Sequence, residues 1–273
     1  MTAFDEAIAL SPAPQADGTS GRYRWQVPAG WEQGRGAWGG LVIGACLQAV
    51  RLTQGDQARP MRTISAHLMS SVPAGPAVIE VLPARLGSAM STWSASVRDE
   101  AGQGLAESMV ICGWSRAEDL VHLATAGTAT APDVAAWQDC PPFPIAPPMG
   151  PDFAAHLEFR PLEGIPMSGS PAEVLGWIRL PDLQQWTDIQ VLSIVDAYWP
   201  TMYPTLTGPR PMATVSFSAH LLADPSTLPP GEPLLYEAYL TGACDGFTTE
   251  TRRLWSSDGR LVVENLQSIV VIR

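Results

Sequence analysis

The stretch RPMRTISAHLM at residues 59–69 returns as RPMATVSFSAHLL at residues 210–222, about 150 positions further along the chain. When two extra residues are allowed after the shared serine, Thr63 aligns with Thr214 and His67 aligns with His220. Each stretch is followed by a Gly/Pro break, two alternating segments, a turn and an apolar ending. An internal repeat of this kind predicts one structural unit of about 120 residues that is used twice. We call the two units the first copy and the second copy.

Each copy is predicted to place one helix before a run of long strands. Residues 39–52, GGLVIGACLQAVRL, are apolar almost all round a helical wheel and contain no acidic residue, which is typical of a buried helix. Residues 188–199 form the second predicted helix, with Asp188 as its N-cap and with Pro200 and Pro204 after its end. We therefore expect one central helix in each copy.

Alternation of apolar and polar residues follows each predicted helix and indicates strands. The predicted strands cover residues 62–72, 77–86, 91–99 and 105–114 in the first copy, and 212–222, 234–241, 247–255 and 261–272 in the second. Successive strands joined by short turns form an antiparallel sheet, and the apolar face of that sheet packs on the helix. A helix wrapped by a long antiparallel sheet, present twice, is the double hotdog arrangement, an α+β fold.

Seven prolines lie between the two copies, in residues 131–152. A segment so rich in proline forms neither a helix nor a central strand, and it is predicted to be an extended linker. The expected organisation is an N-terminal hotdog repeat at residues 1–130, the linker, and a C-terminal hotdog repeat at residues 153–273.

Lysine is absent from the chain, and all sixteen basic residues are arginine. This composition excludes Schiff-base catalysis, pyridoxal-phosphate enzymes and the phosphate-binding lysine of P-loop proteins. The net charge of −11 and the scattered arginines argue against a nucleic-acid partner. The four cysteines and four histidines show no metal-ligand spacing, so we expect neither a metal nor another cofactor.

Membrane segments and export signals are not expected either. No apolar run reaches the ~18 residues that cross a bilayer, and the sequence MTAFDEAIAL at residues 1–10 has two acids before any base, unlike a secretory signal. We expect a cytoplasmic protein that forms a homo-oligomer, because a hotdog sheet exposes an edge that can pair with another copy.

Five segments carry a resemblance to a known family. They are W-x-x-G-R-G-x-x-G-G at residues 31–40, RTISAHLMSSVPAGP at 62–76, LSIVDAYWP at 192–200, MATVSFSAHLL at 212–222 and ENLQSIVV at 264–271. Their order and spacing resemble the acyl-CoA thioesterase type II family of the thioesterase-like superfamily, from about residue 21 to the end of the chain. The resemblance implies the double hotdog fold and a catalytic group of Asp196, Thr214 and Gln267, which activates water to hydrolyse a thioester without a covalent intermediate.

Without the resemblance, these three residues leave alternatives open. Asp196 falls on an apolar flank of its predicted helix, where a carboxylate needs a partner unless it reaches a wet helix edge. Thr214 is also an ordinary strand residue. Gln267 interrupts an apolar strand where the aligned residue of the first copy is Val110, so its amide must be hydrogen-bonded.

Substrate contacts are predicted from backbone and arginine donors. Gly39 and Gly40 open the first helix, where N–H groups and the helix dipole favour an oxyanion or the pantetheine chain, although the same residues are equally typical of close helix packing. Without lysine, the phosphates of coenzyme A must bind arginine, and Arg62 and Arg85 are the candidates chosen. Further arginine candidates are Arg35, Arg59, Arg210, Arg252 and Arg253.

The leading functional prediction is an acyl-CoA thioesterase that releases a carboxylic acid and coenzyme A. One alternative is a non-catalytic protein that binds acyl-CoA or another apolar ligand. A second alternative is a thioesterase that acts on thioesters of a carrier protein. Release of thiol from acyl-CoA, compared with the same acyl group on a carrier protein, separates the three.

Overall fold

The two copies of the repeated stretch form neighbouring antiparallel strands at the centre of one sheet, β5 (Met61–Leu68) and β11 (Met212–Leu221). The computed structural model describes residues 1–14, 20–55, 58–116 and 129–272, and within them this sheet has twelve strands. Ser65 faces Ser218 across the central pair, with their hydroxyl oxygens 3.4 Å apart. The strand order on either side of this pair is the same, so an approximate twofold axis between the serines relates the two copies.

Five more strands extend the sheet on each side, and each neighbouring pair is antiparallel. From the centre to the first-copy edge they are β8 (Gly104–Gly113), β7 (Met90–Arg98), β6 (Gly75–Leu86), β2 (Gly21–Val27) and β1 (Leu10–Pro12). From the centre to the second-copy edge they are β14 (Leu261–Val271), β13 (Phe247–Trp255), β12 (Leu234–Cys244), β10 (Glu173–Arg179) and β9 (Glu158–Glu163). A small separate hairpin consists of β3 (Glu32–Gln33) and β4 (Gly36–Ala37).

The helices are α1 (Ala3–Ala7), α2 (Gly39–Gln54) and α3 (Asp188–Ile194). Helix α2 contacts α3 and strands of the first copy, while α3 contacts β5, β11 and β14. The apolar side chains of α2 from Leu41 to Val50 are buried, as its sequence predicts, whereas Leu52 near the end of the helix is exposed. None of the helices in the described part of the chain has both the length and the apolar character needed to cross a membrane.

All eight predicted strands are present, with ends that differ from prediction by at most four residues. The four outer strands β1, β2, β9 and β10 were not predicted. A signal exists in β2, where Tyr23 and Trp25 are buried and alternate with exposed Arg22 and Arg24. The strand precedes the helix along the chain and joins the sheet beside β6, so the pattern of a helix followed by strands does not include it.

The N-terminus of α3 differs from the prediction. Thr187, not Asp188, is the N-cap: its hydroxyl accepts a hydrogen bond from the Gln190 N–H at 3.2 Å, and the Gln190 side chain accepts one from the Thr187 N–H at 3.0 Å. This reciprocal pair is a capping box. Asp188 is the first helical residue, and its carboxylate pairs with Arg51 and accepts a hydrogen bond from the Met61 N–H at 3.0 Å.

The C-terminus of α3 is also earlier than predicted, at Ile194 instead of residue 199. Beyond it the backbone forms tighter turns, in which the Asp196 N–H donates to the Ser193 carbonyl at 3.1 Å. Asp196 therefore lies in a turn after the helix, not within it.

Residues 131–152 contain neither an α-helix nor a strand, and they include a 3-10 turn at Trp137–Asp139, a turn at residues 147–149 and the first residue of a 3-10 turn at Asp152–His156. The segment packs on the second copy: Cys140 is buried in a small apolar cluster with Trp177, Leu235 and Trp255. The predicted proline-rich linker is thus a fixed layer against β10, β12 and β13.

Candidate active site

Asp196, Thr214 and Gln267 form one hydrogen-bonded chain. The Gln267 amide nitrogen Nε2 donates to Asp196 Oδ1 at 2.8 Å, and the Thr214 hydroxyl donates to Gln267 Oε1 at 3.0 Å. Asp196 is 6 % exposed and Gln267 is fully buried, whereas Thr214 is half-buried. Donors and acceptors match along the chain, so the otherwise unfavourable burial of an amide and a carboxylate is compensated.

A β-bulge places Thr214 in this chain. The register of β11 against β14 shifts between Thr214 and Ser216, so one extra residue interrupts the alternation of side chains. Without the bulge, Thr214 and Phe217 would point to opposite faces, because three positions separate them. The bulge turns the Thr214 side chain to the inner face, where it reaches Gln267.

The N-terminus of α2, from the other copy, closes the site. The Gly40 N–H lies near the Asp196 carboxylate and favours its charged form, and the Trp38 indole donates to the Asp196 carbonyl at 3.1 Å. A Cβ atom on Gly39 would lie only 2.7 Å from Asp196 Oδ2, and one on Gly40 only 2.6 Å from the Ser193 carbonyl oxygen. Because both glycines lack a side chain, the end of the helix can approach the carboxylate. The close packing of the helix end is thus the same feature that places its backbone beside Asp196.

Burial raises the pKa of the Asp196 carboxyl above its usual range. The Arg252 guanidinium, the Gln267 amide and the Gly40 N–H each oppose that rise, whereas the negative charge of Glu250 adds to it. A buried carboxylate with a raised pKa is better able to accept a proton than an exposed one.

Strand register shows which residues of the first copy occupy the equivalent positions. His67 pairs with Glu107 across β5 and β8, and His220 pairs with Glu264 across β11 and β14. These pairs align the copies with no insertion between residues 61–68 and 214–221.

Counting six residues back from each histidine makes Met61 the counterpart of Thr214. The alignment of Thr63 with Thr214 is therefore wrong, because the two extra residues come before Thr214 instead of after the serine of the strand, and Thr63 matches Ser216. Counting three residues on from each glutamate confirms Val110 as the counterpart of Gln267. The first copy thus has apolar Met61 and Val110 where the second has the hydroxyl and the amide.

Comparison with protein families agrees with this two-copy arrangement. Residues 27–115 match the model for the acyl-CoA thioesterase N-terminal domain, and residues 137–271 match the model for the acyl-CoA thioesterase C-terminal domain. The chain belongs to the acyl-CoA thioesterase family. It is accordingly a thioester hydrolase. No curated protein sequence is significantly similar to this thioesterase.

Solved structures show the same fold at low sequence identity. A hotdog-fold protein of unknown function from Alicyclobacillus acidocaldarius superposes with a TM-score of 0.87 at 24 % identity, covering 100 % of this chain and 99 % of that one. A proposed thioesterase II from Thermobifida fusca gives 0.80 at 21 % identity, covering 100 % and 98 %. An acyl-CoA thioesterase II from Mycobacterium marinum gives 0.72 at 15 % identity, covering 99 % and 98 %.

Two further charged residues of the thioesterase, Arg252 and Glu250, lie behind Asp196. Arg252 is 1 % exposed and pairs with Glu250, which is fully buried, and the Arg252 Nη1 atom is 3.6 Å from Asp196 Oδ1. Arg252 is therefore wrong as a candidate for binding phosphate, because it is buried and already paired. Its position could have been found from sequence: Glu250, Arg252 and Leu254 are two residues apart in a strand and so share one face.

Arg62 and Arg85, which are predicted to bind the phosphates of coenzyme A, lie away from the contacts around Asp196. Arg62 lines a cavity of about 240 Å³ with Arg51 and Asp188, and its Nε donates to the Gly113 carbonyl at 3.0 Å. Arg85 is exposed near the end of β6. The contacts among the described residues join neither arginine to Asp196, so their assignment to phosphate stays a prediction.

Proposed function

We propose that this thioesterase hydrolyses acyl-CoA thioesters with water activated by Asp196, Thr214 and Gln267, in a chain whose two copies form a double hotdog. The observation that carries the proposal is the buried Asp196 carboxylate, hydrogen-bonded to Gln267 and adjacent to the N-terminus of α2. A general base, two polar groups that orient water and backbone N–H donors are the components that hydrolysis of a thioester requires.

The proposed reaction begins with a water molecule that is hydrogen-bonded to the group formed by Asp196, Gln267 and Thr214. Asp196 accepts one proton of the water while the water oxygen forms a bond to the thioester carbon. Thr214 and Gln267 orient the water, since neither group titrates near neutral pH. The carbonyl oxygen gains negative charge, and the Gly39 N–H, in the same helical turn as the Gly40 N–H beside Asp196, is the proposed donor to it.

Collapse of the tetrahedral intermediate breaks the carbon–sulfur bond. The thiolate of coenzyme A leaves and takes the proton from Asp196, and the acyl group leaves as a carboxylic acid. Asp196 is ionised again, so no covalent enzyme intermediate forms.

Replacement of Asp196 tests the proposal directly. We expect Asp196→Asn to lower kcat for thiol release from acyl-CoA by at least about 10²-fold, because general base catalysis contributes factors of this order. The wild-type rate should rise with pH as the Asp196 carboxyl, whose pKa is raised by burial, loses its proton. The measurement is thiol release from acyl-CoAs of several chain lengths, from low to neutral pH.

The exposed Asp152 provides the control, since Asp152→Asn removes a carboxylate that stays at the surface and should leave the rate unchanged. Unchanged activity in Asp196→Asn would contradict the site. Turnover confined to the same acyl group on a carrier protein would reassign the substrate, and absence of thiol release from every thioester would favour a binding protein.

A further inference from the structure

We propose that Arg252 and Glu250 are positioning residues: they hold the turn that carries Asp196 and keep its carboxylate in the ionised form that can accept a proton. The inference deepens the proposed function and rests on it. Neither residue is among the three polar groups of the proposed reaction, and both are too deeply buried to meet an acyl-CoA phosphate.

The pair contacts the Asp196 turn on both of its sides. Before Asp196, the Arg252 Nη1 atom donates to the Val195 carbonyl at 3.2 Å. After it, Glu250 Oε2 accepts hydrogen bonds from the Thr201 N–H at 2.8 Å and the Thr201 hydroxyl at 2.6 Å. Because α3 ends at Ile194, these contacts replace the helical hydrogen bonds that would otherwise fix the turn.

The charges around Asp196 leave Arg252 as the one cation acting on it among the described groups. Glu250 on β13 is negative, and burial raises the pKa of Tyr236 on β12 far above its usual range, so that phenol stays neutral. From α2 the carboxylate meets the Gly40 N–H, and from β14 the Gln267 amide, neither of which titrates. Removing Arg252 would leave two buried carboxylates facing each other, a situation that favours protonation of one of them.

The first copy shows that the strand forms without these charges. Glu250 pairs with Gln267 across β13 and β14, and Trp93 pairs with Val110 across β7 and β8. Since Gln267 and Val110 are equivalent, Trp93 is the counterpart of Glu250, and Ala95, two residues on, is the counterpart of Arg252. The ion pair therefore accompanies the polar site and is not a requirement of the sheet.

The test measures the titration of Asp196 itself. In protein labelled with ¹³C at aspartate carboxyl carbons, the Asp196 resonance is identified by its loss in Asp196→Asn. We expect Arg252→Met, which keeps an unbranched apolar stem but removes the charge, to raise the apparent pKa by about one unit or more, and Glu250→Gln to lower it. Arg252→Lys, which restores a cation, should move the titration back toward that of the wild type.

Arg253→Met is the matched control. Arg253 is adjacent to Arg252 but points to the other face of the strand, where its Nε pairs with Glu264 at 3.0 Å, so its removal should leave the Asp196 titration in place. The acidic limb of the pH profile of kcat/KM should shift in the same directions as the resonance in the Arg252 and Glu250 variants.

An Asp196 titration that is the same in wild type, Arg252→Met and Glu250→Gln would overturn the inference, even if the variants were slower at every pH. If Arg252→Met does not fold, Glu250→Gln decides alone, because a purely structural role predicts no downward shift. Absence of thiol release by the wild type would reject the proposed function, while the resonance would still report whether the pair controls the charge of Asp196.

Discussion

At the scale of single residues, the site depends on missing side chains as much as on the polar groups. Gly39 and Gly40 let the end of α2 reach Asp196, and a Cβ atom on Gly39 would also lie 2.9 Å from Leu68 Cδ1. The Asp196 carboxylate is thus held between a helix end on one side and Arg252 on the other.

We expect Gly39→Ala to lower kcat/KM for acyl-CoA hydrolysis by about 10-fold or more. The new methyl group must displace the Asp196 carboxylate, and small displacements of a catalytic group carry large rate penalties. Gly208→Ala is the control, because a Cβ atom there meets no other atom within 4 Å. Equal kcat/KM values for the two variants would show that the helix end does not position the carboxylate.

At the scale of elements, α3 is short, and its N-terminal cap compensates for few helical hydrogen bonds. The capping box of Thr187 and Gln190 is the local device, and Asp188 adds a bond to the first copy through Arg51 and Met61. The element that leads into the Asp196 turn is therefore fixed mainly at its beginning.

Thr187→Ala should lower the free energy of unfolding by about 1 kcal/mol, the usual contribution of a threonine N-cap. Urea denaturation provides the measurement, with an unchanged m-value as the sign that only stability has altered. Thr207→Ala, at an exposed position, should have a negligible effect. A Thr187 variant as stable as the wild type would mean that tertiary packing alone holds α3.

Much of the fold and of the candidate site could be predicted from the sequence, and the features that were not predicted have physical causes. The repeat, the buried helix and the alternating strands follow from local patterns, and the family resemblance pointed to the three residues that the structure brings together. The end of α3 and the bulge at Thr214 were missed, because a turn held by Arg252 and a register shift depend on distant partners. The buried ion pair of Arg252 and Glu250 was not predicted, because charged side chains usually lie at the surface of a protein.

At the scale of the whole molecule, the sheet is continuous across both copies, and its two edges are β1 and β9. Each edge strand contains a proline, Pro12 and Pro161, which cannot donate a backbone hydrogen bond to another chain. The predicted association of copies stays a prediction, and these prolines argue against pairing through the sheet edges.

The asymmetry of the copies predicts that the polar groups cannot simply be transferred to the first one. Val110 is fully buried between Ile64 and Trp93 on neighbouring strands. Val110→Gln should lower the free energy of unfolding by about 1–3 kcal/mol, since its amide would lack partners. Met109→Gln, at an exposed position next to it, should change stability by less than about 0.5 kcal/mol in the same denaturation experiment. Equal effects would contradict the asymmetry.

The junction of both copies in one polypeptide has a genetic consequence. In a dimer of identical chains, every mutation appears at both symmetry-related places, so a residue needed once must be kept twice. Here each copy has its own codons, and selection can act on them separately: under the proposed mechanism the second copy must retain Asp196, while the first must retain Gly39. The first copy is then free to accumulate apolar residues such as Met61, and its contribution to the proposed reaction is the N-terminus of α2 beside Asp196.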